Sequence, residues 1–203
     1  MPDPFISDDR QTSAPRQPSF SMSQGQLGMI LFLASLGVLF AATIIAYVVT
    51  RMNNPVWRTA EMPGLPWGLW GTTAVMFAQG ASMSWATRAI RANKQLALER
   101  ALWWSLGLGV LFIAGQALNW HEMQATRLGQ ASKNLYVFTF YMLTGVHALH
   151  ILGGLVPLGI VLQRTRQREY SSSRHEGVKF CAQYWHFLGV VWLVLLTALL
   201  IAT

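Results

Sequence analysis

Five long apolar runs separated by short polar loops constrain the fold of this chain more than any other feature. They cover approximately residues 27–49, 65–86, 101–120, 136–162 and 180–202, and none of them contains Asp, Glu, Lys or Arg. Each run is close to the roughly 20 residues that a helix needs to cross about 30 Å of hydrocarbon. Because a backbone in lipid must hydrogen-bond to itself, uninterrupted runs of this length indicate helices. The sequence therefore predicts an all-α, polytopic membrane helix bundle with five transmembrane helices.

Residues 1–26 differ in composition from the rest of the chain. They are polar, are rich in Ser, Pro and Gln, and contain no apolar stretch. A cleavable signal peptide needs an apolar segment of about 7–15 residues, so we expect residues 1–26 to form a flexible polar tail. Residues 27–203 are predicted to form a single five-helix transmembrane domain.

Composition and charge argue against several classes of protein. Charged residues make up 11% of the chain, whereas soluble globular domains have about 25%. The formal net charge is +7, but the basic residues occupy short loops between apolar runs, which indicates membrane topology and no nucleic-acid partner. With a single cysteine, Cys181, the chain has neither a disulfide framework nor a Cys-based zinc motif.

The distribution of loop charges predicts the orientation of the helices. The N-terminal tail and the second and fourth loops share one side of the predicted membrane and carry eleven basic residues. They are Arg10, Arg16, Arg88, Arg91, Lys94, Arg100, Arg164, Arg166, Arg168, Arg174 and Lys179. The other side carries only Arg51, Arg58, Arg127 and Lys133. Because cytoplasmic loops are enriched in Lys and Arg, the N-terminus is predicted to be cytoplasmic and the C-terminus to lie outside.

Three histidines are the main candidates for chemistry within the membrane, where polar side chains are costly to bury. His147 and His150 share a face of the fourth helix, which Gly154 extends, and His186 follows the cytoplasmic start of the fifth helix. They have the residue type for axial haem ligands, a metal pair or a proton relay. The simpler interpretation, which the spacing favours, is that they are neutral histidines that hydrogen-bond between helices. Spacing alone leaves these alternatives open.

Two further groups of polar residues have simpler interpretations. Gln116, near the end of the third helix, is expected to hydrogen-bond between helices. The basic residues Arg164, Arg166, Arg168 and Lys179 are most simply topology determinants, and they have the charge to hold an anionic lipid headgroup at the cytoplasmic surface.

Several stretches resemble motifs of subunit III of the haem–copper terminal oxidases. LTGVHALH at residues 143–150, with Gly154 beyond it, resembles the LTGxHxxH…G signature of that family. YWHF at residues 184–187, followed by VVW at 190–192, resembles the motif YWHFxDVVW. GQALNW at 115–120 is similar to the segment GQxxEW, and the resemblance extends over about residues 27–202. The motif positions that we expect to pack helices together or to contact lipid are Gln116, Trp120, Thr144, Gly145, His147, His150, Gly154, Tyr184, Trp185, His186 and Trp192.

The chain departs from the family pattern at four acidic positions. The family's membrane glutamate falls at Leu36, its helix-three glutamate at Asn119, a glutamate ahead of YWHF at Lys179, and the aspartate of YWHFxD at Gly189. Because Leu36 replaces the membrane glutamate, we do not expect this chain to show the proton-related behaviour that the family associates with that residue. The joint loss of four acids indicates a divergent member.

The resemblance implies a non-catalytic accessory subunit of a cytochrome c or quinol oxidase. In the family, haem and copper are bound by partner subunits, which reduce oxygen to water and translocate protons. Subunit III packs on subunit I and holds phospholipids in a cleft between its first two helices and the remaining ones. We therefore expect no catalytic, metal-binding or cofactor-binding residue in this chain, subunits I and II as partners, bound phospholipids, and the inner membrane of a bacterium, where the five-helix form is common.

Two alternatives keep the membrane fold but change the function. In the first, the chain is a subunit III-like accessory protein of a nitric-oxide reductase, which the missing carboxylates suggest. In the second, it is a haem b-binding membrane anchor in which His147 or His150 pairs with His186.

Overall fold

The computed structural model describes residues 24–54, 65–125, 135–171 and 175–201, and these residues form five α-helices. The helices are α1 (Gln24–Met52), α2 (Gly68–Arg91), α3 (Gln95–Ala125), α4 (Leu135–Arg166) and α5 (Glu176–Ile201). The all-α prediction is confirmed. Four of the five, α1, α3, α4 and α5, are long and apolar enough to cross a membrane. Helix α2 is less apolar because Gly, Ser and Thr interrupt its hydrophobic residues.

The helix ends differ from the limits of the apolar runs. Residues 1–23 of the predicted tail lie outside the described residues, whereas residues 24–26 already belong to α1. Helix α3 begins at Gln95, ahead of residue 101, because polar residues outside the hydrocarbon continue the same hydrogen-bonded helix. Helix α2 begins at Gly68, after a turn in which the N–H of Leu69 donates to the Pro66 carbonyl at 3.2 Å.

The turn between α2 and α3 is tight, and it places the two helices side by side. Asn93 has a φ of 54°, a left-handed conformation that asparagine tolerates better than most residues. The N–H of Lys94 then donates to the Ala89 carbonyl at 2.9 Å, which satisfies the end of α2 in the manner of a Schellman cap. The same device ends α4, where Arg168 has a φ of 57° and the N–H of Glu169 donates to the Arg164 carbonyl at 3.1 Å.

Helices α2, α3, α4 and α5 form a closed ring in which each packs against the two next to it. Helix α1 lies outside the ring and contacts only α5 and α4 among the described helices. It runs parallel to α5, since Gly25 lies near Phe180 and Gly37 near Phe187. A single stripe of α1, formed by Leu36, Phe40 and Tyr47, is buried.

Small residues bring α3, α4 and α5 close together. A Cβ atom at Gly109 would lie 2.7 Å from Leu155 Cδ2 and 3.0 Å from Trp185 Cη2. A Cβ atom at Gly154 would lie 2.5 Å from Tyr184 Cε1. A Cβ atom at either glycine would overlap a neighbouring side chain, so glycine at these positions lets the helices approach closely. This is the packing that small residues provide between helices in a membrane.

Candidate functional site

His147 lies at the centre of the bundle, where α1, α3, α4 and α5 converge. Its side chain is 0% exposed, and its ring packs against three aromatic rings. The centroid distances are 5.1 Å to Trp192, 5.6 Å to Phe112 and 6.1 Å to Phe40. Among the described residues, neither ring nitrogen has a hydrogen-bond partner. The imidazole therefore packs in an aromatic cage.

Two tryptophans connect the ring of helices through hydroxyl groups. Trp192 Nε1 of α5 donates to Thr73 Oγ1 of α2 at 2.9 Å, and that hydroxyl donates in turn to the Leu69 carbonyl at 2.7 Å. Trp120 Nε1 of α3 donates to Thr144 Oγ1 of α4 at 3.0 Å. Because water is absent from the hydrocarbon, buried indole N–H groups need such partners. Both tryptophans thus fix one helix against another.

The two motif stretches, residues 143–150 of α4 and 184–192 of α5, meet at Tyr184. Its hydroxyl donates to the backbone carbonyl of His150 at 2.8 Å, and its ring fills the space that Gly154 leaves. The His150 ring packs against Phe40 of α1 with centroids 4.9 Å apart, and His150 Nδ1 lies 2.7 Å from the Val146 carbonyl. Gly145 differs from Gly154, since a Cβ atom there would meet nothing within 4 Å. Among the described residues, Gly145 therefore does not pack closely against another helix.

His186 points away from the other two histidines. Its side chain is exposed beside α2, where His186 Nε2 lies 3.3 Å from Ser84 Oγ and the ring lies against Gly80. His147 lies instead among Phe112, Trp192 and Phe40, and His150 packs against Phe40 of α1. The described residues contain no group of three or more His, Cys, Asp and Glu side chains arranged to hold a metal ion. The haem-anchor alternative, which pairs His186 with His147 or His150, is thus not favoured.

Helices α2 and α3 carry three buried amide side chains, and only those of α3 were predicted from the sequence to matter. Gln79, Gln116 and Asn119 are each at most 2% exposed. No partner among the described residues reaches either amide atom of Gln79 or Gln116, so the interhelical hydrogen bond expected for Gln116 is not seen there. Asn119 Oδ1 occupies the space that a Cβ atom at Gly68 would take. The sequence signal for Gln79 is that it is a polar residue inside the apolar run 65–86.

Two grooves of the bundle flank α5. A groove of about 290 Å³ between α2 and α5 is lined by residues that include Gly80, His186 and Gly189. A second groove of about 680 Å³ lies between the ends of α1 and α5, beside Tyr47 and Arg51. Helix α2 belongs to the four-helix ring and does not contact α1. The prediction of a cleft between the first two helices and the other three is therefore wrong for the described residues. Helix α2 packs against α3 and α5 and not with α1.

The basic residues Arg164 and Arg166, near the end of α4, lie beside different carboxylates. Arg164 Nε lies 3.9 Å from Glu169 Oε2, whereas Arg166 Nε lies 3.7 Å from Glu99 Oε1 of α3. Arg168 follows the end of α4, and Lys179 lies half-buried in the first turns of α5. Arg164 and Arg166 therefore do not share one acidic partner.

Comparison with known proteins identifies relatives over most of the chain. The family description "Cytochrome c oxidase subunit III" matches residues 14–202. Cytochrome c oxidase subunit 3 of Synechocystis sp. is 34% identical over 170 residues, which cover 83% of this chain and 71% of that protein. The Drosophila melanogaster protein of the same name is 30% identical over 83% of this chain and 65% of its own length. The Thermostichus vulcanus protein is 27% identical over 87% of both chains.

Proposed function

Because this chain belongs to the cytochrome c oxidase subunit III family, we propose that it is the non-catalytic accessory subunit III of a haem–copper respiratory oxidase. It packs on the catalytic subunit I, in a complex that includes subunit II, and it supports oxygen reduction without binding haem or copper itself. The observation that carries this proposal is the junction of the two motif stretches. Tyr184 OH, His150 O and Gly154 form one interhelical contact.

The polar groups of the motif residues support a structural role. Trp192, Trp120 and Tyr184 each donate a hydrogen bond to a neighbouring helix, and His147 is enclosed by aromatic rings. These side chains hold this chain's own helices in place. A bundle held together in this way offers the partner subunit a fixed outer surface to pack against.

The proposed topology has five transmembrane helices, a cytoplasmic N-terminus and an outer C-terminus, in the inner membrane of a bacterium. The described end of the bundle formed by the α2–α3 turn and the end of α4 carries Arg88, Arg91, Lys94, Arg164 and Arg166. This is the distribution expected at a cytoplasmic surface. At the opposite end, Trp67 and Trp70 at the start of α2 are exposed, as tryptophans in the membrane interface are.

Phospholipids are the proposed ligands of the two grooves beside α5. The α2–α5 groove is lined mainly by apolar side chains, which suits an acyl chain. The α1–α5 groove has Arg51 at its rim, which suits a chain with its phosphate near the outer surface. The relatives compared above are all named for cytochrome c oxidase, so a nitric-oxide reductase partner is not favoured.

The test is purification of the tagged full chain from its native membrane in mild detergent. We expect a haem–copper catalytic subunit to co-purify, together with oxygen consumption and the partner's haem spectrum. Recovery of this chain alone, with a b-type spectrum of its own, would contradict the proposal.

A further inference from the structure

A third groove lies between α3 and α4, at the end of the bundle where α4 ends. Its volume is about 460 Å³, and its lining residues are Trp103, Gly159, Leu162, Gln163, Arg166 and Gln167. It shares no lining residue with the two grooves beside α5. We call it the α3–α4 groove.

The α3–α4 groove has an apolar part and a polar part. Gln163 follows Gly159 by four residues, and Arg166 and Gln167 follow Gln163 by three and four, so these side chains lie along one side of the end of α4 and the turn after it. Gly159 and Leu162 line the apolar part, and an added Cβ atom at Gly159 would meet nothing within 4 Å. Two amides and a guanidinium form the end nearer the loop. An occupant of this groove therefore has an apolar part and an adjacent polar part.

The charge at the polar end fits an anion. The Arg166 side chain is 63% exposed, and its Nε lies 3.7 Å from Glu99 Oε1. Because that distance exceeds hydrogen-bond length, Glu99 leaves the guanidinium able to donate to another acceptor. Arg164 and Arg168 each lie two residues from Arg166 in the sequence, and Arg100 follows Glu99 in α3. They outnumber the nearby carboxylates of Glu99 and Glu169, so the surface is positive overall.

Trp103 adds a marker of the membrane interface. Its indole is half-exposed on α3, one turn beyond Glu99, and it forms the wall opposite Gly159. Tryptophan is favoured where an apolar body meets polar headgroups. The same few residues thus combine an apolar stretch, an interfacial aromatic ring and an arginine.

We propose that the α3–α4 groove binds one anionic phospholipid. Its phosphate accepts hydrogen bonds from Arg166 and from the amides of Gln163 and Gln167, and the start of one acyl chain lies over Gly159 beside Trp103. Glu99 competes with the phosphate for Arg166. This assignment rests on the topology in the proposed function, which places this end of the bundle at the cytoplasmic surface.

The test counts lipids retained by the tagged full chain, with any subunits that co-purify, in native mass spectrometry. The sample is equilibrated with equal amounts of phosphatidylglycerol and phosphatidylcholine. We expect one phosphatidylglycerol to be retained in preference to phosphatidylcholine. Arg166→Gln should weaken its retention about tenfold, as the loss of a charge-assisted contact does. Glu99→Gln should strengthen it, because the competing carboxylate is gone.

Matched controls separate the groove from general effects on charge and packing. Gly159→Leu should displace the lipid, whereas Gly153→Leu should not, although a Cβ atom meets nothing within 4 Å at either glycine. Arg88→Gln, at the exposed cytoplasmic end of α2, should leave retention unchanged. Equal retention of the two lipids, equal effects of the two leucine variants, or weaker retention in Glu99→Gln would each overturn the proposal. The co-purifying subunits in the same sample report on the proposed function separately.

Discussion

The Tyr184 hydroxyl donates to the backbone carbonyl of His150 at 2.8 Å, across the interface between α5 and α4. Gly154, one turn further along α4, gives the Tyr184 ring its space. Two stretches that lie more than thirty residues apart in the sequence therefore act as one structural unit. Because α4 and α5 both contact α1, this unit also determines where α1 is attached.

The first prediction concerns the space at Gly154. Gly154→Ala should destabilise the chain by about 1–3 kcal/mol, the usual cost of overpacking, because its Cβ atom would lie 2.5 Å from the Tyr184 ring. Thermal unfolding of the detergent-purified chain measures this. The control is Gly153→Ala, on an open face of the same helix. Equal unfolding temperatures for the two variants would show that the close packing at Gly154 is not required.

The second prediction concerns the bond between α5 and α2. Thr73→Val should cost about 1–3 kcal/mol, because it leaves the buried Trp192 N–H without its acceptor. Thr73→Ser keeps a hydroxyl and should restore most of the stability. Thr197→Val is the matched control, since the Thr197 hydroxyl bonds only within α5 and on an exposed face. The same unfolding assay applies, and a Thr197 effect as large as that of Thr73 would contradict the assignment.

The third prediction separates the histidines. His150→Ala removes the ring that packs on Phe40 and should weaken the attachment of α1 by about 0.5–1.5 kcal/mol. We expect a lower yield of assembled complex with an unchanged haem spectrum. His186→Ala should affect assembly less, because His186 is exposed beside α2. An altered haem environment in either assembled variant would show that a histidine acts as a ligand.

The fourth prediction concerns the contact between Gly68 and Asn119. Gly68→Ala should lower the unfolding temperature, since its Cβ atom would overlap Asn119 Oδ1, whereas Gly71→Ala meets open space. Combining Gly68→Ala with Asn119→Ala should recover part of the loss, because the shorter side chain removes the overlap. Purely additive losses in the double variant would argue against this contact.

The sequence was sufficient to predict the helices, because their existence follows from the apolar runs and from backbone hydrogen bonding in lipid. It also indicated that the stretches at 143–150 and 184–192 carry the important contacts. It did not show that residues 24–26 begin α1, since a helix continues into polar residues wherever its backbone bonds can form.

Helix geometry determines part of the arrangement around α5 without any tertiary information. At 3.6 residues per turn, Tyr184 and His186 must face nearly opposite sides of the helix. The sequence therefore placed these two side chains apart, but it could not show which helix lies on each side. The structure decides that α4 faces Tyr184 and α2 faces His186.

The choice of neighbours has a physical cause that a run of apolar residues does not record. In lipid, every apolar helix face is equally well solvated, so hydrophobicity does not select a partner. Selection depends on glycines such as Gly109 and Gly154, and on single hydrogen bonds between distant residues, such as Trp192 with Thr73. These contacts place α2 in the ring and α1 outside it. The sequence by itself determined the number of helices and their order along the chain, and only tertiary packing determined their arrangement in space.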